Sequence, residues 1–505
     1  MANPLYDTLF GRHAGRDTVF LHLPNGGSLT HENFLKLSAR IASVLTDLGL
    51  VPGDRLAAQI EKSPEALAVY AACVRAGVVF LPLNTGYMGE EIRYFVENSG
   101  AKLLICDASK ATALGTVAQG CGAQMETLNA DGTGSLMDRA AGQPDSFATV
   151  ERDAEDLAAF LYTSGTTGRS KGAMLTQSNL LSNAQTLADY WRFTADDVLL
   201  HALPIFHTHG LFVATNISLI AGGSMIFLPK FDLDQMIALL PRATAMMGVP
   251  TFYTRLLSDP RFDRDLAQHM RLFISGSAPL LSETHVQFEG RTGHRILERY
   301  GMTETNMNTS NPYEGERRAG TVGFPLPGVE LRITDPATGM TLTQGEIGQI
   351  EVRGPNVFKG YWQMPEKTAE ELRADGFFIT GDLGQIDADG YVSIVGRNKD
   401  LIISGGYNIY PKEIEMLLDD QPGVLESAVI GVPHPDFGET VVGVLVPSPG
   451  SEPDLDAITA QIMESLARFK HPRKLVILHE LPRNTMGKVQ KKELRDRFGA
   501  LFTLA

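Results

Sequence analysis

Apolar residues along the chain follow two alternating patterns, short continuous runs and stripes that repeat every three or four positions. Runs such as Arg55–Ile60, Val78–Leu83 and Leu157–Leu161 are typical of buried strands. Helical stripes lie between the runs, and the first of them comprises Phe34, Leu37, Ile41, Val44, Leu45 and Leu48. Strands and helices that alternate at this spacing predict largely parallel sheets covered by helices.

The stretch Val198–Pro229 contains no Asp, Glu, Lys or Arg, which superficially suggests a membrane span. It also contains His201, His207 and His209, together with prolines and glycines. We therefore predict that it forms the buried core of a large α/β domain. Residues 107–155 are polar and rich in glycine, and they show no motif.

Composition narrows the class of protein. A chain of 505 residues favours two or more domains. The net charge of −15 argues against nucleic acid or a membrane as a partner, so a bound polyanion needs a local basic pocket. Three cysteines without metal spacing, and an N-terminus without a signal pattern, predict a reducing, cytoplasmic location.

One loop, residues 163–172, combines glycines, hydroxyl side chains and the cations Arg169 and Lys171. Glycines let the backbone approach an anion closely, and hydroxyl, ammonium and backbone N–H groups donate hydrogen bonds to phosphate oxygens. The spacing differs from that of a Walker loop, because Arg-Ser-Lys follows Gly168. An ordinary surface turn is the alternative, but ordinary turns seldom hold so many donors.

This loop resembles the phosphate loop of the adenylate-forming acyl-CoA synthetases, and within that superfamily the chain most resembles the malonyl-CoA synthetases. The resemblance covers nearly the whole chain. It implies an α/β fold with a large N-terminal domain, residues 1–398, and a small C-terminal α+β lid, residues 399–505. It also implies that ATP, Mg²⁺ and CoA bind, with the ATP phosphates on Thr163, Ser164, Gly165, Thr166, Thr167 and Lys171.

Further motifs of that family follow in order, and the resemblance implies their roles. The turn Ser277-Ala278-Pro279 would contact adenine, and Tyr300-Gly301-Met302-Thr303-Glu304 would supply a ring that stacks on adenine, a hydroxyl for the α-phosphate and a Mg²⁺ ligand. Asp382 would accept hydrogen bonds from the ribose hydroxyls, and Arg397 would contact ribose or phosphate.

The C-terminal part carries three matches. Lys399 lies at the hinge position, Gly405 and Gly406 belong to the loop that would line the tunnel for the pantetheine arm of CoA, and Lys488 matches the catalytic lysine. The resemblance also implies reversible acetylation of Lys488 by an acetyltransferase and a deacetylase, which removes its charge.

Three residues are candidates for the acid pocket. By resemblance, His207 helps to position the reacting carboxylate, and Met307 forms a wall of the pocket. Arg255 provides a permanent, bidentate cation for a second carboxylate, which would be costly to bury unpaired. For each of them a purely structural role is the alternative.

These features predict an ATP-dependent acid:CoA ligase that works through an acyl-adenylate and releases AMP and pyrophosphate. We expect malonate as the substrate and methylmalonate as a second one, since packing alone rejects a methyl group poorly. A different small carboxylic acid is the runner-up. Two further candidates are an enzyme that loads a carrier-protein thiol and a nucleotide-binding protein without ligase activity.

Overall fold

A computed structural model describes residues 2–163, 170–404, 407–484 and 487–502 of the chain. The chain forms two compact units. The first comprises Met1–Ala319, Phe324–Glu330 and Arg353–Phe378, and the second comprises Gly320–Gly323, Leu331–Val352 and Ile379–Ala505. The domain boundary between residues 398 and 399 stays a prediction.

In the first unit, the described residues form two sheets. The nine-stranded sheet has the spatial order Phe324–Pro325, Asn306–Ser310, Leu297–Met302, Leu272–Ser275, Ala245–Gly248, Val198–His201, Ser224–Phe227, Val19–His22, Ser28–Thr30. The six-stranded sheet has the order Gln124–Thr127, Leu103–Cys106, Arg55–Gln59, Val79–Pro82, Leu157–Thr163, Lys171–Thr176. Both sheets are parallel in the middle and antiparallel at an edge, which confirms the predicted α/β class.

Helices surround these sheets. In the first unit they are Pro4–Leu9, His31–Asp47, Pro64–Ala76, Gly89–Ser99, Ala111–Gly120, Ser135–Ala140, Gln177–Tyr190, Asn216–Ala221, Leu233–Leu239, Pro250–Leu257, Arg264–Ala267, Ser282–Thr292 and Pro365–Glu371. Local signals set several ends: the Thr30 hydroxyl caps His31–Asp47, and Gly77 ends Pro64–Ala76 in the left-handed region.

The uncharged stretch is core, as predicted. It folds into the strand Val198–His201, a π-helical segment His209–Thr215, the helix Asn216–Ala221 and the strand Ser224–Phe227. None of the helices in the described ranges combines the length and apolarity that a membrane crossing needs. Residues 107–155, where we predicted no motif, contain two of the helices and one strand.

The second unit has two smaller sheets among its described residues. One has the order Glu330–Thr334, Gly348–Arg353, Phe378–Ile386, Val392–Arg397. The other has the order Tyr407–Ile409, Ile402–Ser404, Gly438–Pro447, Val424–His434, with Lys474–Ile477 also paired to Gly438–Pro447. The helices Pro411–Asp419 and Leu455–Ser465 contribute to one apolar cluster of this unit, and Lys491–Phe498 contributes to another.

Candidate active site

The predicted phosphate loop connects two antiparallel strands in which Thr163 pairs with Lys171. The predicted ligands Ser164, Gly165, Thr166 and Thr167 lie outside the described residues. Lys171 begins the second strand, and its Nζ lies 3.1 Å from both carboxylate oxygens of Glu371 and 3.1 Å from the hydroxyl of Tyr361. The ammonium group of Lys171 is therefore paired with the carboxylate of Glu371 at the start of the second strand.

The motif from Tyr300 to Glu304 lies at the carboxyl end of the strand Leu297–Met302, where the chain turns into Asn306–Ser310. Gly301 is required there, because a Cβ atom would lie 1.8 Å from the carbonyl oxygen of Asn306 and 2.6 Å from Cε of Met307. Tyr300 is buried, and Met302 and Thr303 are half-buried. Met307 is almost fully buried against Gly301.

Glu304, the predicted Mg²⁺ ligand, is buried, and its Oε1 lies 3.0 Å from the hydroxyl oxygen of Tyr361. Tyr361 also lies 2.6 Å from Glu371 Oε2, so two carboxylates approach one phenol. Mg²⁺ prefers oxygen ligands and commonly takes only one or two from protein when it also binds phosphate. The chemistry of Glu304 and its surroundings therefore fits this ion.

Parallel strands end at the same edge of their sheet. The turn Gly276–Pro279 follows the strand Leu272–Ser275, so it lies at the same edge as the end of the neighbouring parallel strand Leu297–Met302. Ser277 has a φ of 72°, a left-handed conformation that is strained for a residue other than glycine and is enriched at functional sites. Its Oγ lies 3.2 Å from Nδ1 of His209. Ala278 is half-buried and Pro279 is exposed.

Sequence reasoning missed Arg299. Its side chain is almost completely buried, and its Nε and Nη2 atoms find no hydrogen-bond partner among the described residues. Ser275 Oγ and His209 Nε2 lack partners within the same ranges. Gly276, between Ser275 and Ser277, lies against the guanidinium. We call Ser275, Gly276, Arg299 and His209 the Arg299 cluster.

Burial shifts the pKa values of Arg299 and His209 in this cluster. Burial lowers the pKa of Arg299 to about 9, so the guanidinium stays cationic at neutral pH. Burial, reinforced by the positive charge of Arg299, holds the pKa of His209 well below its ordinary value, so this imidazole is neutral. A buried cation beside unpartnered polar atoms is costly unless an anion binds to it. The cluster therefore has the chemistry of a binding site for a carboxylate.

His207, the predicted carboxylate-positioning residue, is half-buried on the segment that leads to His209. Its Nδ1 accepts a hydrogen bond of 3.3 Å from the backbone N–H of His209. Gly210 follows, and a Cβ atom there would lie 2.0 Å from the carbonyl oxygen of Pro204. The backbone of this segment is therefore tightly packed.

Lys62, which the sequence did not single out, anchors the same segment. Its Nζ lies 2.8 Å from both Nδ1 and the carbonyl oxygen of His201 and 3.0 Å from the carbonyl oxygen of Leu203. Three acceptors match the three protons of an ammonium group. Burial nevertheless lowers the pKa of Lys62 well below its ordinary value.

Arg255 lies on an exposed face of the helix Pro250–Leu257, with its guanidinium carbon 5.7 Å from the centre of the Phe231 ring. Its predicted contact with a substrate carboxylate stays a prediction.

In the second unit, the two residues predicted to bind ribose are paired with each other. Asp382 is buried, and its Oδ1 lies 2.7 Å from Nε of Arg397 on the neighbouring strand. Its backbone N–H donates to Thr380 Oγ at 3.1 Å, and Gln349 donates to its carbonyl oxygen at 3.1 Å. The carboxylate is thus fixed in place by its own unit.

The hinge candidate Lys399 lies in an exposed 3₁₀ turn, Asn398–Asp400. Gly405 and Gly406 lie outside the described residues, and the strands Ile402–Ser404 and Tyr407–Ile409 flank them. Lys488 is exposed, and its backbone N–H donates to Asn484 Oδ1 at 2.9 Å.

Two family models match the chain. The family model described as AMP-binding enzyme matches residues 11–362, and the AMP-binding enzyme C-terminal domain matches residues 413–488. The chain is 36% identical to a malonate–CoA ligase of Arabidopsis thaliana over 88% of this chain and 78% of that protein. It is also 36% identical to a feruloyl-CoA synthase of Amycolatopsis over 94% of this chain and 95% of that protein.

Among solved structures, ATP-bound MatB from Rhodopseudomonas palustris is 57% identical and superposes with a TM-score of 0.98, over 99% of this chain and 100% of that chain. Both the sequence and the fold match over nearly the whole length. The chain therefore belongs to the family of AMP-binding enzymes.

Proposed function

We propose that this protein is an AMP-forming acid–thiol ligase that joins malonate to CoA. The reaction consumes ATP, proceeds through malonyl-adenylate and gives malonyl-CoA, AMP and pyrophosphate. Two relatives named as malonate–CoA ligases, from Arabidopsis thaliana and Bos taurus, support the proposal at 36% and 34% identity. The 57% identical MatB structure contains ATP, which supports the nucleotide.

One observation carries the choice of a dicarboxylate, namely the buried guanidinium of Arg299. Malonate presents one carboxylate for reaction with ATP and a second one that stays charged. Arg299 has two unpartnered donor atoms within the described residues, and Ser275 and His209 next to it have unpartnered polar atoms as well. A charge-assisted bidentate pair offsets the desolvation of both ions. Methylmalonate fits the same logic, since its extra methyl group is neutral.

The first half-reaction joins the free carboxylate to the α-phosphorus of ATP. Lys488 and Thr303 stabilise the charge on the α-phosphate, His207 positions the attacking carboxylate, and pyrophosphate leaves from the loop of residues 163–172. Tyr300 and the turn Ser277–Pro279 hold adenine, while Asp382 and Arg397 hold ribose. The barrier is mostly charge repulsion and ordering, so positioned donors lower it.

Glu304 would hold Mg²⁺, and the bound ion would neutralise part of the phosphate charge. In the second half-reaction, rotation at Lys399 withdraws Lys488 and brings the Gly405–Gly406 loop to the pantetheine arm of CoA. The CoA thiolate then attacks the acyl carbon, and AMP leaves. One active site thus performs two reactions in turn.

The proposed function includes regulation by acetylation of Lys488. The exposed side chain of Lys488 is accessible to an acetyltransferase and a deacetylase, and acetylation would remove the charge that adenylate formation needs.

The enzyme works in the cytoplasm and supplies malonyl groups for fatty acid metabolism. Three cysteines without a disulfide framework support the reducing location.

A different carboxylic acid is the second candidate substrate. The feruloyl-CoA synthase from Amycolatopsis is as similar in identity, at 36%, as the malonate–CoA ligase from Arabidopsis thaliana. Ferulate, however, has a single carboxylate and offers no anion for the Arg299 cluster. A carrier-protein thiol in place of CoA is the third candidate, as the acceptor of the acyl group.

A single acid panel tests these candidates. We would measure pyrophosphate and AMP release with malonate, methylmalonate, butyrate and ferulate, each with and without CoA. We expect malonate and ATP to release pyrophosphate without CoA. AMP and malonyl-CoA should form only when CoA is added. A preference for butyrate or ferulate, or thioester formation only on a carrier protein, would overturn the proposal.

A further inference from the structure

The ammonium group of Lys171 has a carboxylate partner within the chain. Its Nζ lies 3.1 Å from Oε1 and 3.1 Å from Oε2 of Glu371, and 4.2 Å from the centre of the Tyr361 ring. The two charged side chains are only 18% and 22% exposed. Partial burial makes this pair stronger than a typical surface salt bridge.

Backbone pairing holds the network in place. Residues 173 and 361 form a bridge, the Met174 N–H donates to the carbonyl of Gly360, and the Trp362 N–H donates to the carbonyl of Gly172. The Tyr361 segment is thereby fixed to the strand that begins with Lys171. Glu371 ends the helix Pro365–Glu371 that follows.

Glu371 is ionised at neutral pH. Burial by itself raises the pKa of this carboxyl, but the Tyr361 hydrogen bond and the charges of Lys367 and Lys171 together hold the pKa below its ordinary value. Lys367 lies 3.0 Å from Oε1, so Glu371 keeps a second cation if Lys171 moves away. Losing Lys171 therefore leaves Glu371 with a partner.

We propose that Glu371 is a positioning residue that competes with the phosphates of ATP for the ammonium group of Lys171. This inference rests on the proposed function, in which Lys171 binds the phosphate tail. When ATP binds, the ammonium exchanges one anion for another, and Glu371 retains Lys367 and the Tyr361 hydroxyl. After adenylate formation, Glu371 takes Lys171 back and thereby favours the departure of pyrophosphate. The competition weakens ATP and pyrophosphate binding in exchange for faster release.

Titration calorimetry on the full-length protein tests this competition without relying on activity. ATP and, separately, pyrophosphate are titrated in EDTA, so that no metal bridges the phosphates. Glu371→Gln removes the competing charge while keeping the size of the side chain. We expect it to lower the Kd of both ligands about fivefold, the order of magnitude of one partly buried ion pair.

Glu370→Gln is the matched control. It removes the same charge one residue earlier on the helix, where the side chain is 64% exposed and pairs with Lys367. We expect its Kd for ATP to stay within about twofold of the wild type, because exposed charges are screened. If Glu370→Gln lowers the Kd as much as Glu371→Gln does, the loss of any negative charge in this region explains the effect, and the proposed competition for Lys171 is wrong.

A double variant assigns the effect to Lys171. Lys171→Met should weaken ATP binding, and in that background Glu371→Gln should no longer strengthen it. An unchanged Kd in Glu371→Gln, or a full effect that persists without Lys171, would overturn the inference. If Lys171→Met does not weaken ATP binding at all, the phosphate role of Lys171 is wrong as well, and the proposed function loses that element.

Two checks keep the result interpretable. Glu371→Ala serves as a second variant, and thermal unfolding of each protein shows whether it is folded. No acid is present in these titrations, so a wrong choice of malonate leaves their outcome unchanged.

Discussion

Gly276 and Arg299 are in direct contact: a Cβ atom on residue 276 would lie 2.5 Å from Cζ of the guanidinium. Gly276 follows the strand Leu272–Ser275, and Arg299 lies on the neighbouring parallel strand Leu297–Met302. Because Arg299 is buried on all sides, its head group has little room to move away from an added methyl group. The glycine therefore makes the space in which the guanidinium lies.

Gly276→Ala should displace the guanidinium and raise the KM for malonate by about tenfold, the effect of roughly 1.4 kcal/mol of lost binding. The KM for ATP is the control, because the adjacent turn Ser277–Pro279 is predicted to contact adenine. Steady-state kinetics with each substrate varied in turn would measure both values. An equal rise in the KM for ATP would assign the effect to the turn rather than to Arg299.

Arg299→Met and Arg255→Ala should separate the two candidates for the second carboxylate. If Arg299 binds it, Arg299→Met should lower kcat/KM for malonate about a hundredfold, since a charge-assisted pair contributes up to about 3 kcal/mol. Activity with butyrate should fall far less.

The same acids test whether Arg255→Ala depresses activity with malonate more than with propionate or butyrate, as a contact between Arg255 and the substrate predicts. Equal losses across the acids would make the tested arginine structural.

The sequence predicted the α/β class, several of the strands and helices, and the uncharged core, because these follow from local apolar patterns and from caps such as Thr30. It missed the helix Ala111–Gly120, whose glycines and threonines are poor helix formers. Leu114, Val117 and Ala118 stabilise that helix by packing into an apolar cluster.

The missed site residues have a common cause. Arg299 directly follows Glu298 in the strand Leu297–Met302, and both side chains are buried. Only the tertiary structure shows that Arg299 lies against Gly276 while Glu298 approaches His285. Lys171 was predicted, but its partner Glu371 was missed because 200 residues separate the two and no local pattern connects them. Lys62 contacts His201 across 139 residues for the same reason.

Lys488→Ala should separate the two half-reactions. The ammonium group is proposed to act only in adenylate formation, so pyrophosphate release from malonate and ATP should fall at least about a thousandfold. Conversion of supplied malonyl-adenylate and CoA into malonyl-CoA should stay within a few-fold of the wild type. Loss of both steps would indicate misfolding, and retention of adenylate formation would exclude Lys488 as the catalytic lysine.

Asp419 in the second unit predicts a pH-dependent change in stability. Burial raises its pKa from 3.8 to about 6, and the nearby Lys412 and the hydrogen bond from Ser427 only partly oppose this shift. The folded state therefore binds a proton more tightly than the unfolded state, so this group favours folding at low pH. Its contribution is lost as the pH rises through about 6.

Asp419→Asn imitates the protonated carboxyl and keeps an oxygen that accepts the hydrogen bond from Ser427. At pH 8 the variant should be more stable than the wild type by at most about 3 kcal/mol, the equivalent of a shift of about two units, and at about pH 5 by roughly half of that. Urea unfolding of both proteins at the two pH values, followed by circular dichroism, measures the difference. Asp420→Asn, at the exposed neighbouring position, is the control and should change little. A variant that is less stable at pH 8, or a difference independent of pH, would show that the ionised carboxylate of Asp419 stabilises the unit instead.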